Sequence, residues 1–131
     1  MLLLSSNILL LLQTLGFTNS MNIIIDGVTS LNSQLYHIVI NGCKNVKVQG
    51  AKVSASGASP NTDGIHVQLS TDVTILSSNI GTGDDCISIG AGTTNLWMED
   101  ISCGPGHGIR YVIFHLSIFT LEDVLIFRLL S

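Results

Sequence analysis

Asp63, Asp84, Asp85 and His107 are the residues whose types and spacing could do chemistry. They sit in three short clusters: Asn61-Thr62-Asp63-Gly64, Gly83-Asp84-Asp85-Cys86 and Gly104-Pro105-Gly106-His107-Gly108. Each cluster runs into a strand-like beat, Ile65-His66-Val67, Ile87-Ser88-Ile89 and Ile109-Arg110-Tyr111. Ile65 to Ile87 is 22 residues, and Ile87 to Ile109 is 22 again. Asp63, Asp85 and His107 each stand two residues before their isoleucine. A fixed period of this size marks a repeat architecture. If each repeat is one coil of a solenoid, the three side chains stack in a column with ~4.8 Å between coils. Asp84 adds a neighbouring carboxylate.

Like charges that close push at least one pKa upward. The splitting leaves one protonated acid and one ionised base. Hydrolysis of a glycosidic bond needs such a pair, an acid for the leaving oxygen and a carboxylate that activates water or attacks. Taken singly, Asp63 in Asp-Gly is an ordinary turn residue, and β-coils also stack polar residues for purely structural hydrogen bonding. The shared phase of Asp63, Asp85 and His107 is what favours chemistry, together with glycines on both sides of His107 that permit close approach of a ligand. Three carboxylates could hold Ca²⁺, but the rest of a dedicated loop is missing. Neither Cys nor His has a zinc spacing. No metal and no cofactor is expected.

The elements that must position these residues follow from two further registers. Ile23, Val46, Val73 and Leu96 recur at steps of 23, 27 and 23. Ile38, Ile65, Ile87 and Ile109 recur at 27, 22 and 22, and Val28, Val53, Ile80 and Ile101 at 25, 27 and 21. Three registers with one period predict three parallel strands per turn. Within each beat apolar residues alternate, as a strand with one buried face requires: Val46 and Val48 point in, Lys47 out; Ile65 and Val67 point in, His66 out. A leucine-rich repeat would need a helix or its leucine signature in every repeat, and neither is present. The fold class predicted is all-β, a right-handed single-stranded parallel β-helix of about four coils. The turn-rich stretch from Ser54 to Pro60 accounts for the long steps and is expected to loop out beside Asp63, as one wall of a groove.

One domain covers residues 1–131, with repeat coils from about 17 to 111 and an atypical tail over 112–131. Residues 1–20 resemble a signal peptide only in the apolar run Leu9–Leu12. No Lys or Arg precedes it and no small-residue cleavage site follows. A β-coil strand of a longer parent chain fits better. The tail, after Arg110, loses the beat. Its expected forms are a final coil, an apolar helix capping the solenoid, or an aberrant tail left by truncation; His115, Glu122, Asp123 and Arg128 argue against a membrane span.

Composition narrows the function classes. The net charge is −4 with only five Lys and Arg, which excludes a phosphate-binding surface for nucleic acid. Hydrophobic residues make up 46% and aromatics only 5%, a composition suited to the thin aliphatic core of stacked coils. Three cysteines allow at most one internal disulfide. The residues alone leave open whether any pair bonds, since a cysteine is often simply core. Trp97 points outward on another register and reads as surface packing.

The three clusters resemble three of the four signature motifs of the polygalacturonases, glycoside hydrolase family 28, and Cys103–Ile109 is similar to the plant-type version. The resemblance covers roughly Phe17 to Ile109. It implies a right-handed parallel β-helix, secreted to the extracellular cell wall, that acts as a monomer on pectin or polygalacturonate and hydrolyses α-1,4-galacturonan with inversion. It implies Asp84 as general acid, Asp63 and Asp85 holding and activating the water, and His107 tuning their protonation. It also implies a disulfide between Cys86 and Cys103, with Cys43 left over and buried. The sequence departs from the pattern in two places. The fourth motif, Arg-Ile-Lys, whose cations bind the substrate's carboxylates, is absent from these 131 residues. Arg110 stands where the family commonly carries a serine. His66 and Arg110 are the expected substrate contacts. A charged hydrogen bond of the kind that motif would make is worth ~1.5–3 kcal/mol. A non-catalytic β-helix that binds pectin weakly, or is structural, is therefore the alternative expectation.

Overall fold

The computed structural model describes residues 13–33, 35–58, 62–111 and 124–130. Two sheets of parallel strands wind around one another as a β-helix of about four turns. The first sheet runs β1 (Gln13–Thr18), β4 (Tyr36–Asn41), β7 (Asp63–Gln68), β9 (Ile87–Ile89) and β11 (Ile109–Tyr111). The second is built on β2 (Met21–Asp26), β5 (Lys44–Gln49), β8 (Thr71–Gly81), β10 (Thr94–Cys103) and β12 (Val124–Leu130). The short strands β3 (Thr29–Leu31) and β6 (Lys52–Ser54) pair with each other and β6 pairs with β8. Each turn therefore has three strand segments, as expected, with the second and third merging into one long strand in β8 and β10.

Two of the predicted registers hold residue for residue. Ile38 pairs with Ile65, Ile65 with Ile87, and Ile87 with Ile109. Ile23 pairs with Val46, Val46 with Val73, and Val73 with Leu96. The third is corrected. Val53 and Ile80 do pair, but Val53 faces Ser30 rather than Val28, and Ile80 faces Cys103 rather than Ile101. A slip of two residues keeps every side chain on the same face, so apolar alternation cannot detect it. Buried serines occupy the inward positions instead: Ser30 and Ser78 are both almost fully buried. The Ser78 hydroxyl donates to Leu76 O and accepts the Ala51 N–H, which removes the cost of burying it.

The core is the stack of inward isoleucines, valines and leucines. Ile38, Ile65, Ile87, Val73, Ile75 and Met98 are all completely buried. Each such side chain contributes ~1.5–3 kcal/mol by leaving water, and each does so only because the coils above and below cover it.

The corners are made by left-handed backbone in columns. Asn22, Asn45, Asp72 and Asn95 have φ of 59°, 59°, 56° and 52°. Asn45 donates its amide to Asn22 Oδ1, and Asn95 does the same to Asp72 Oδ1. Asn19, Gly42, Leu69 and Gly92 form a second column, and Gly27, Gly50, Ser77 and Asp100 a third, all at positive φ. Asn, Asp and Gly tolerate this region best. Ser77 and Asp100 lie inside β8 and β10, which is how one continuous strand turns a corner.

Of the expectations for the tail, the described part rejects a helix. Val124–Leu130 is a strand, and Leu96 pairs with Val124 in the same parallel sense as the coils before it. The repeat thus continues with one longer step, and residues 112–123 within it contain no Gly, Pro or Asn. Residues 112–123, the apolar run Leu9–Leu12, Pro60 and Asn61 lie outside the described residues. Gln13–Thr18 is a coil strand, as expected for that part of the first twenty residues. Cys43 is a free buried thiol, and Cys86 and Cys103 form the expected disulfide. A bridge closing a loop of this length stabilises by ~3 kcal/mol.

Candidate functional site: a carboxylate cluster on the first sheet

The site is held by the turn Gly83–Asp85, between β8 and β9. The Thr82 hydroxyl lies 3.0 Å from Asp84 O and 3.3 Å from Asp85 O, donating into the turn from inside. From the coil on one side, the Gly64 N–H donates to Asp85 O at 2.9 Å. From the coil on the other, the His107 N–H donates to Asp84 O at 2.8 Å, and the Cys86 N–H to Gly108 O at 2.8 Å. The Cys86–Cys103 disulfide ties the same two coils. Gly106, at φ 153°, packs on it: a Cβ there would lie 2.6 Å from Cys86 Sγ. No larger residue fits that approach, which is why the histidine turn opens with glycine.

Asp63, Asp84 and Asp85 come together. Asp63 is buried, and its Oδ1 accepts the Asp85 N–H at 3.2 Å. Asp85 is buried as well, with its carboxyl pushed above the ordinary range, first by burial and then by the charge of Asp63; Asp84 adds to this and Arg110 opposes it. Asp84 is partly open to solvent, and His107 Nδ1 lies 3.4 Å from its Oδ1. Ligand atoms of Asp84, Asp85 and His107 all fall within 4.8 Å of one another. The column is therefore real, but with one refinement. His107 is in line with Asp85, yet its largely exposed imidazole turns to Asp84.

The two expected substrate contacts are both in the groove beside the cluster, a cavity of about 250 Å³ lined also by Tyr36, Gln68 and Ser88. His66 Nδ1 lies 2.7 Å from Ser88 Oγ and Nε2 lies 3.0 Å from Gln68 Oε1, so both ring nitrogens have partners. Arg110 Nε lies 2.7 Å from Asp85 Oδ2. The loop after Ser54 leans on the histidine turn, where a Cβ on Gly57 would meet Pro105 Cβ at 3.3 Å. Among the described residues it does not line this groove.

Tyr36 is the groove residue that sequence reasoning missed. It pairs with Asp63 across the coils, and its ring lies 5.1 Å from that of His66. Burial, then Asp63 and Asp84, raise its hydroxyl pKa, against Arg110. The hydroxyl therefore stays protonated and can donate. The signal was available: Tyr36 precedes Asp63 by 27 residues, the same step that links Ile38 to Ile65.

Coils of parallel strands that gather three acids and an imidazole beside one open groove define a β-helix protein with a carboxylate cluster on its outer face. The chain belongs to the glycosyl hydrolases family 28, whose model matches residues 12–111. It is 67% identical over 96 residues to a polygalacturonase of Prunus persica, covering 73% of this chain and 24% of that protein. It is 49% identical to a polygalacturonase of Medicago sativa over 108 residues, 82% of this chain and 25% of that one. The solved polygalacturonase from Erwinia carotovora ssp. carotovora shares the fold, with a TM-score of 0.67 at 22% identity over 76% of this chain and 35% of that one. The chain thus spans about a quarter of the length of the curated relatives it matches.

Proposed function

We propose that this chain carries the acid–base centre of a polygalacturonase, hydrolysing α-1,4-galacturonosyl linkages of pectin or polygalacturonate with inversion. The observation that carries the reading is the placement of the neighbouring acids: Asp84 partly open beside His107, where it can reach a sugar oxygen, and Asp63 and Asp85 buried together behind it. Asp84 donates its proton to the leaving glycosidic oxygen. Asp63 and Asp85 hold a water, which gives up a proton to the carboxylate as its oxygen attacks the anomeric carbon from the opposite face. His107, against Asp84, helps order the acid. Tyr36, His66, Gln68 and Ser88 present hydrogen-bonding groups to the sugar, and the disulfide keeps the two acid-bearing coils in register. Pectin is a wall polymer, so the site acts outside the cell, on a secreted protein working as a monomer.

A carboxylate oxygen of Asp84 lies within 4.8 Å of one of Asp85, closer than the ~6.5–9.5 Å usual for an inverting pair. Inversion at this spacing is consistent with Asp85 acting only on water. Its Oδ2 is buried and paired to Arg110, which leaves it poorly placed to attack the sugar itself.

The test is release of reducing ends from polygalacturonate by the purified chain. Activity should be lost in Asp84→Asn while the fold persists; equal release by both chains removes Asp84 from the role. A second reading, a β-helix that binds pectin without cleaving it, is favoured by the ion pair in which Arg110 occupies the buried Oδ2 of Asp85. It predicts retention on polygalacturonate with no new reducing ends.

A further inference from the structure

Arg110 reaches out of β11 onto the groove face, in the same row as Ser88 and His66. Its side chain is 61% exposed, yet its Nε lies 2.7 Å from a carboxylate oxygen that is 3% exposed by side chain. The contact is an ion pair that does not meet hydrogen-bond geometry, and that Oδ2 has no hydrogen-bonding partner among the described residues. A buried carboxylate oxygen without a partner disfavours the charged form. The groups that face Asp85 are Asp63 from β7, Asp84 from its own turn, and Arg110 from β11. Tyr36 of β4 stands beside the same charges, and His107 faces Asp84. Among the described residues, Arg110 is thus the one Lys or Arg set against these like charges.

We propose that Arg110 is a positioning residue for Asp85: it sets its guanidinium against the buried carboxylate and supplies the counter-charge to the acids gathered around it. The consequence is a base that stays competent further into the acid range than the same buried aspartate beside a serine. The position is also exposed enough for a substrate carboxylate to share the guanidinium's remaining N–H groups without breaking the Nε contact.

That Asp85 is a base rests on the function proposed above; the electrostatic pairing does not. The experiment is a ¹³C NMR titration of the side-chain carboxyls in the 131-residue chain and in Arg110→Ser, Arg110→Gln and Arg110→Lys. In the serine and glutamine variants the Asp85 midpoint should rise by on the order of one pH unit, the lower end of what an adjacent guanidinium does to a carboxyl. Lysine should recover part of that shift, since it restores charge but not the fork. A purely structural role for Arg110 would leave the midpoint where it is, and that result overturns the proposal. So would unfolding of both uncharged variants, because Arg110 would then be holding the coil rather than the charge. A moved midpoint in a chain that cleaves nothing keeps this proposal and sinks the hydrolase reading; an unmoved midpoint in an active chain does the reverse.

Discussion

The Asp63 carboxylate accepts the backbone N–H of Asp85 at 3.2 Å, while the coil that begins with Asp63 returns the Gly64 N–H to Asp85 O at 2.9 Å. The two acids are therefore positioned by each other's coils. Neither can move without loosening the other's backbone, and the charge of one sets the proton affinity of the other.

This coupling has a direction. Asp63 raises the Asp85 pKa, so Asp63→Asn, which can keep the hydrogen bond through its amide oxygen but loses the charge, should lower the Asp85 midpoint. If Asp85 is the base, the acid limb of the pH–rate profile should move to lower pH with it. Carboxyl NMR and a pH–rate profile check the two halves separately. An Asp85 midpoint unchanged in Asp63→Asn would show that the two acids do not share a field.

His37 offers a pH test of the fold itself. It is completely buried on β4, with Nδ1 2.7 Å from Ser30 Oγ and no partner for Nε2 among the described residues. Burial lowers its pKa below 6.5. A histidine depressed in the folded state contributes stability above its unfolded pKa, and that contribution is lost as pH falls through the folded value. Urea unfolding midpoints should therefore drop between about pH 6.5 and the acid range more steeply in the native chain than in His37→Gln. Parallel pH dependences would contradict this. Asp85 titrates in both chains, so the difference between them isolates His37.

Leu69 is the misfit in its corner column. It sits at φ 50° with its side chain 61% exposed, where the coils on either side place Gly42 and Gly92, and the first coil Asn19. The left-handed region costs most L-residues ~1–2 kcal/mol, and Asn less. Leu69→Asn should raise the melting temperature, with a gain approaching ~1 kcal/mol. A lower melting temperature would mean that the packing of Leu69 over Gly92 outweighs the strain.

The fold was legible because coil registers write themselves into the chain as alternation. Ile38, Ile65, Ile87 and Ile109 announce one strand four times over. What alternation cannot carry is a slip of two, which is why the spacing assigns Val53 and Ile80 the wrong outer partners. It also cannot see a strand without punctuation before it, and between β11 and β12 there is no Gly, Pro or Asn to mark the turn. The site was legible as types at one phase: Asp63, Asp85 and His107 do stack. The turn of the imidazole toward Asp84 is a side-chain direction, which spacing does not encode. The Arg110–Asp85 pair was hidden for a related reason. It runs diagonally between neighbouring rows, whereas a repeat reading compares positions only along a row.

The proposed acid–base centre inverts the anomeric carbon. ¹H NMR of trigalacturonate digested by the purified chain reads it directly, because the anomer formed first is visible before mutarotation. The β-anomer of the new reducing end should appear first, and Asp84→Asn should produce none. The α-anomer appearing first, or no new reducing end from the native chain, would contradict this.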